Sequence, residues 1–318
     1  MKYKVVVTAP INEEGIKLLE REAELFIFPK PPTIDELKKI IVDADALLVT
    51  MNVENINRDV IYSAPKLKII ARHGVGYDNV DVKAASERGI WVTTAPVLSE
   101  TVADQAFALL LTLAKRTCEA NNFVKSKKWT VRDPFIFQGV DVWGKTIGII
   151  GLGRIGYAIA ERAKGFKMRI LYTDIVRKVE LEEKLSIEYK TLEDLLKESD
   201  FIIISCSLTE QTRGLIGEKE LKMMKKSAYL INIARGPIID HSALVKALKE
   251  RWIAGAGLDV FYKEPLPLDD PILEIENVIL TPHIASNTIE NRRRLAVTAA
   301  QEILRVLHGE QPLYPVKF

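Results

Sequence analysis

The chain has few cysteines, almost no net charge and no apolar run long enough to span a membrane. Its two cysteines, Cys118 and Cys206, match neither a metal-ligand spacing nor a disulfide framework, which suits a reducing cytosol. No basic stretch followed by a short apolar core reads as a targeting signal, so a soluble, cytoplasmic protein is expected. Lys plus Arg total 45 against 43 for Asp plus Glu, which leaves no field to draw nucleic acid or an anionic membrane. The short basic clusters Lys125-Ser-Lys-Lys128 and Arg292-Arg-Arg294 read as solvated faces. Short-period repeats and low-complexity segments are also missing. At 318 residues the chain is long enough for two domains with separate cores.

Short apolar runs alternate with helical patterns from end to end, the signature of α/β architecture with parallel sheets. Strands are expected at Lys4–Thr8, Leu25–Phe28, Ala46–Val49, Leu67–Ala71 and Ile90–Thr93, with helices such as Asn12–Glu22 and Thr33–Val42 between them. That set completes one small doubly wound domain. A second sheet collects Ile147–Ile150, Arg169–Tyr172, Phe201–Ser205, Ala228–Ile233, Gly255–Val260 and Val278–Thr281. The stretch from Ser99 to Lys115 becomes apolar all round after its first turn, so a buried helix near a domain junction is expected there. An amphipathic helix over Glu290–His308 should pack back on the first domain.

The second sheet opens with the strongest motif. The run Ile147–Ile150 breaks at Gly151-x-Gly153-x-x-Gly156 into a helical pattern, and the next strand, Arg169-Ile-Leu-Tyr-Thr-Asp174, ends on an acid. In a dinucleotide site the first glycine makes the tight turn, the second admits a pyrophosphate and the third lets helix pack on strand. The anion sits at the helix N-terminus, where free N–H groups and the dipole favour negative charge. Asp174 stands where a carboxylate accepts from ribose hydroxyls and repels a 2′-phosphate, which favours NAD over NADP. Arg177, three residues on, could meet such a phosphate, but the acid lies nearer the ribose.

Ligands in parallel sheets bind beyond the carboxyl ends of strands. Arg235, Glu264 and His283 fall at such ends. Hydride transfer to a 2-keto acid needs a planar cation for the carboxylate and carbonyl, a proton donor with a pKa near working pH, and a carboxylate to fix that donor. Arg, His and Glu suit those roles in turn. Singly, each also reads as a surface ion pair, a structural histidine or a turn residue, and only the set points to chemistry.

These residues lie within segments that resemble the D-isomer-specific 2-hydroxyacid dehydrogenase family over essentially the whole chain. The matching segments are His73-Gly-Val-Gly-Tyr-Asp-Asn-Val-Asp81, Thr101-Val-Ala-Asp104, Gly151–Gly156, Asn232-Ile-Ala-Arg-Gly236, Gly257-Leu-Asp-Val-Phe-Tyr-Lys-Glu-Pro265 and Thr281-Pro-His-Ile-Ala-Ser286. The resemblance implies a Rossmann coenzyme domain, 99–288, inserted into a flavodoxin-like substrate domain of 1–98 plus 289–318, with a cleft that closes over substrate. It implies catalysis by Arg235, Glu264 and His283, pyrophosphate contacts from Arg154 and Ile155, Thr101 near the nicotinamide and Asp259 on its carboxamide. Cys206, Thr212, Ile233, Ala234, Ala285 and Ser286 complete the implied cofactor contacts, which Arg235 and His283 share. The backbone of Val75 and Gly76, with Arg235, would hold the substrate carboxylate, and Asn52 and Val53 would face the substrate. A homodimer is implied, with the helix from Ser99 near its interface. His73 borders the substrate loop, whereas His241 and His308 read as helix-surface residues.

The chain departs from the family at Ser207, where many members have proline, a change on the adenine side. Phosphoglycerate dehydrogenases tend to carry bases in the loop that matches Met51-Asn-Val-Glu-Asn55, and this loop has none. The expected reaction is therefore NADH-dependent reduction of a small 2-keto acid such as glyoxylate or hydroxypyruvate. The alternatives are D-3-phosphoglycerate dehydrogenase activity and, from another class, an NAD-sensing, corepressor-like binding protein.

Overall fold

The computed structural model describes residues 2–50 and 55–316. Its contacts divide the chain into two compact units, 1–98 with 287–318, and 99–286. The first unit begins β1 (Tyr3–Val7), α1 (Glu13–Glu20), β2 (Ala23–Ile27), α2 (Ile34–Ile41), β3 (Ala46–Val49), α3 (Arg58–Tyr62), β4 (Ile69–Arg72), α4 (Val82–Glu87) and β5 (Trp91–Thr93). The second unit runs α5 (Ser99–Lys115), α6 (Thr117–Lys125), β6 (Thr146–Ile150), α7 (Arg154–Gly165), β7 (Arg169–Thr173), α8 (Val179–Leu185), β8 (Glu188–Tyr189), α9 (Leu192–Glu198) and β9 (Phe201–Ile204). It continues with α10 (Glu218–Met223), β10 (Tyr229–Asn232), α11 (His241–Lys249), β11 (Gly255–Leu258) and β12 (Val278–Leu280). Helix α12 (Ile289–Leu307) then completes the first unit.

Both sheets are wholly parallel, as the alternation of apolar runs and helical patterns implied. The first has the order β2-β1-β3-β4-β5, the flavodoxin-like arrangement. Its central strand β3 is apolar and buried without interruption because helices cover both faces. Alternation along β1 sends Val6 to one core with Leu37, Ile41 and Ile61. It sends Val5 and Val7 to the other, with Leu19, Ala299 and Ile303. Helix α2 starts where the sequence allows: Thr33 accepts from the Glu36 N–H while Glu36 accepts from the Thr33 N–H.

The second sheet has the order β12-β11-β10-β9-β6-β7-β8. Helices α9, α10 and α11 cover one face through Leu195, Leu221, Leu244 and Leu248. The apolar α5 packs on the other, against β10, β11 and α7. Its Leu109 and Leu113 come so close that a Cβ on Gly257 would lie 3.1 Å from each. Burial within its own unit accounts for Val102, Ala106, Phe107, Leu109, Leu110 and Leu113, most of the apolar side chains of α5.

Strands and helices end within three residues of the expected positions, β3 and α5 match at both ends, and α7 begins at Arg154, directly at the glycine turn. Two elements were not anticipated. The two-residue strand β8 is too short to carry a period, and α6 has no buried residue and so no apolar face to read. Asn52 and Val53 lie outside the described residues.

Gly15 in α1 lies where a Cβ would come within 2.7 Å of the Ala296 carbonyl oxygen on α12. Gly15→Ala should therefore lower stability by about 1–3 kcal/mol through overpacking, despite the better helix propensity of alanine. A thermal melt with Tm at or above the parent's would disprove that account of how α12 seats on α1.

Candidate active site

In the second unit the chain runs outward from β6 through β7 to β8, then returns to the other side of β6 as β9. The carboxyl ends of β6 and β9 therefore flank a topological switch point, the place where open α/β sheets bind ligands. Gly151 leaves β6 there with φ +94°, and a Cβ on it would meet the Cys206 backbone at 2.6 Å. A Cβ on Gly156 would strike the Gly151 carbonyl oxygen at 2.2 Å, so this glycine lets α7 close on the turn. Gly153 is different. Its φ is −80° and a Cβ would find nothing within 4 Å, so neither backbone strain nor the protein's own packing calls for glycine there. Gly153 is also the N-cap of α7, which has no side-chain cap, leaving first-turn N–H groups, those of Arg154 and Ile155 among them, for an anion. Asp174 follows β7, and its Oδ2 accepts from the Leu152 N–H at 2.7 Å, which ties the acid to the glycine turn. An open space at Gly153, an uncapped helix and a fixed acid form a cradle that fits a dinucleotide.

The remaining expected cofactor residues surround this turn and the strands beside it. Cys206 follows β9; burial pushes its thiol up to about 11, so it is a packing residue and not a thiolate. The Thr212 hydroxyl is engaged in its own loop, donating to the Ser207 carbonyl at 2.7 Å and accepting from the Thr209 N–H at 2.7 Å. Thr101 is buried in the first turn of α5, and Ile233 is buried beyond β10.

Strands β10, β11 and β12 lie side by side, and each delivers one of the expected catalytic residues beyond its carboxyl end. Asn232, 1% exposed, ends β10 and folds the next turn: its Oδ1 accepts from the Ala234 N–H and its Nδ2 donates to the Arg235 carbonyl. That turn presents Arg235. Gly236 then passes so close to the segment after β11 that a Cβ would sit 1.9 Å from the Phe261 carbonyl carbon. From that segment Glu264 accepts the Phe261 N–H on Oε1 and pairs through Oε2 with His283 Nδ1 at 2.7 Å. Burial alone would raise the Glu264 carboxyl. The hydrogen bond and charge of His283, the Phe261 N–H and Arg235 outweigh that and hold it below the usual carboxylate range.

His283 has φ +53°, a left-handed conformation unusual for a residue with a side chain. Asp259 sustains it. This wholly buried carboxylate accepts from the Thr281 hydroxyl at 2.6 Å and the Ile284 N–H at 2.9 Å on Oδ1, and from the Ala285 N–H at 2.8 Å on Oδ2. The chain is thus pinned on both sides of the histidine. Sequence reasoning assigned Asp259 only to the cofactor and passed over Asn232 as a positioning residue; their polar character just beyond apolar strands was the available signal.

In the first unit, the loop after β4 is secured through its carbonyls. Gly74 accepts from the Ala95 N–H at 2.8 Å and Gly76 from Arg72 Nε at 2.8 Å. Among the described residues, the N–H groups of Val75 and Gly76 donate no hydrogen bond, an arrangement suited to a carboxylate. His73, 4% exposed and with no hydrogen-bond partner for either ring nitrogen among the described residues, borders that loop. Burial, then the Arg292 charge, drives its imidazole down to about 4, so it stays neutral. His241 is not the surface residue expected from its helix: it is half-buried, 3.0 Å from buried Asp270 and against the Tyr262 ring. His308 is exposed and pairs with Glu22. Among the described residues no cluster fit for a metal ion occurs, and no helix is long and apolar enough to cross a membrane.

Comparison with known proteins agrees with this geometry. The family model for the NAD-binding domain of D-isomer-specific 2-hydroxyacid dehydrogenases matches residues 107–285. A glyoxylate reductase of Pyrococcus horikoshii is 51% identical, with 98% of this chain and 95% of the relative covered. One from Korarchaeum cryptofilum is 49% identical over the same shares. Among solved structures, a Thermus thermophilus protein superposes with TM-score 0.93 at 38% identity, covering 99% of this chain and all of its own. The NADPH-dependent glyoxylate/hydroxypyruvate reductase of Sinorhizobium meliloti, in complex with NADP and malonate, gives 0.90 at 31% identity, covering 99% and 97%. The chain belongs to the D-isomer-specific 2-hydroxyacid dehydrogenases, oxidoreductases acting on CH–OH groups.

Asp259→Asn keeps the size but turns an NH2 group toward donors that need an acceptor. It should cost about 2–4 kcal/mol of stability and lower turnover together. A variant with parental Tm and parental kcat would remove Asp259 from any role in holding His283.

Proposed function

We propose that the protein reduces a short, unphosphorylated 2-keto acid, of the glyoxylate or hydroxypyruvate type, to the D-2-hydroxy acid with NADH. The observation that carries this reading is the 2.7 Å pair of Glu264 with His283, in the segments beyond β11 and β12, the two strands that extend the sheet outward from β10 and its Arg235. When bound, the nicotinamide supplies the hydride. The Arg235 fork binds the substrate carboxylate and polarises the carbonyl. Glu264 holds Nδ1 of His283, which leaves Nε2 to give its proton to the oxygen as negative charge develops there. The open amides of Val75 and Gly76 support their assignment to the carboxylate, and Ser286 and Ala285 remain assigned to the cofactor side. The glyoxylate reductases among the relatives support the substrate class. For the cofactor, Gly153, Arg154 and Ile155 would take the pyrophosphate, and Asp174 the adenosine ribose. A fixed acid at that ribose supports NADH over NADPH. A homodimer in the cytoplasm belongs to the same reading; its support is a run of exposed apolar side chains including Trp129, Phe135 and Trp143.

NADH oxidation compared across glyoxylate, hydroxypyruvate, pyruvate and phosphohydroxypyruvate should favour an unphosphorylated acid. Preference for phosphohydroxypyruvate would instead make the protein a phosphoglycerate dehydrogenase. His283→Ala should cut kcat by about 10²–10⁴-fold, and Arg235→Ala should also raise KM for the keto acid, while both still bind NADH by fluorescence titration. Near-parental turnover in either would remove that residue from the chemistry. The Glu264 carboxyl is depressed in the fold, so its pair with His283 is intact above the ordinary carboxylate pKa and is lost only as pH falls below it. Glu264→Gln should accordingly lower kcat by about 100-fold at neutral pH. A normal rate at neutral pH would show the carboxylate is dispensable.

A further inference from the structure

The segment after β7 holds a base beside the acid at the expected ribose position. Asp174 is fixed by two N–H donors, Leu152 at 2.7 Å and Val176 at 3.3 Å. Arg177, three residues on, is the guanidinium nearest in sequence for a 2′-phosphate. Its fork is already filled: Nε donates to Glu182 Oε1 at 2.8 Å and Nη2 to Oε2 at 2.7 Å. Glu182 is itself anchored. The hydroxyl of fully buried Tyr172 donates to Oε1 at 2.7 Å and accepts from the Lys178 N–H at 2.7 Å. The guanidinium also stands 5.6 Å from the Tyr189 ring centroid.

We propose that Glu182 is a cofactor-specificity residue, which disfavours a 2′-phosphate by engaging Arg177. Asp174 acts by repulsion; Glu182 acts by removing the cation that would offset it. A bidentate arginine–carboxylate bond is among the stronger ion-pair geometries, and a hydroxyl fixed in the core spares Glu182 much of the entropy cost that weakens ordinary surface pairs. The hydrogen bonds from Arg177 and Tyr172 pull the Glu182 carboxyl down to about 2, so the arginine is held across the working pH range. The inference rests on the NADH reading above.

The test compares calorimetric binding of 2′,5′-ADP and 5′-AMP, which differ by the 2′-phosphate, with kcat/KM for NADPH and NADH. Proteins with Glu182→Gln, Arg177→Ala and both are compared with the parent, each checked by thermal melting. Glu182→Gln should shift both ratios toward the 2′-phosphate by about tenfold. Arg177→Ala alone should leave the ratios at the parental value, and the double variant should return to it. Unchanged ratios in a folded Glu182→Gln protein would overturn the proposal. So would a loss of 2′,5′-ADP affinity in Arg177→Ala, because it would mean that Arg177 already serves the phosphate. The parent's own ratio tests the NADH reading separately: tighter binding of 2′,5′-ADP there would refute that reading, while the variants still decide the role of Glu182.

Discussion

The buried carboxylate of Asp259 is the constraint on which the catalytic arrangement depends. Burying a charge is costly unless donors replace water, and here three donors from the chain after β12 do so. The same bonds that stabilise the charge define the path of residues 281–285. His283 can keep a positive φ because its neighbours on both sides are fixed, so the strain sits where the histidine must project. Charge satisfaction in the core and placement of His283 are one event.

Sheet topology makes that event useful. Three adjacent parallel strands bring their carboxyl ends together, so Arg235, Glu264 and His283 need only short turns to meet, although they are far apart in sequence. Close approach at Gly236 draws the turn of Arg235 onto the segment that carries Glu264. A side chain at that one position would separate Arg235 from the Glu264–His283 pair without altering either. The turn built by Asn232 acts similarly, fixing the backbone of Arg235.

Much of this was legible in the sequence, for physical reasons that also mark the limits. Uninterrupted apolar runs reveal parallel strands because both faces are covered, and Gly151-x-Gly153-x-x-Gly156 between strand and helix reveals the dinucleotide turn. What escaped depends on distance along the chain. His241 sits on a helix with an exposed face, and only the fold brings Asp270 to it. Asp259 was assigned to the cofactor through the family resemblance, and its hold on the chain after β12 went unread because two of its donors are backbone amides, which leave no pattern in a sequence. β8 and α6 were missed for a simpler reason: neither buries enough side chain to impose a period.

Cofactor choice is a different kind of property. The NADPH-dependent reductase of Sinorhizobium meliloti shares this fold at a TM-score of 0.90. The architecture, then, does not by itself decide between the two nicotinamide nucleotides, just as a fold does not by itself decide a function. The decision has to lie in a few side chains, and the ones proposed for this chain are an acid locked to the glycine turn and a base locked to a second acid. The first lock joins the glycine turn after β6 to the acid after β7, and the second lies within the segment from β7 to α8; neither contributes to the Arg235–Glu264–His283 set. Discrimination at the ribose can therefore change without disturbing the proton donor, because no hydrogen bond described for the two sets joins them.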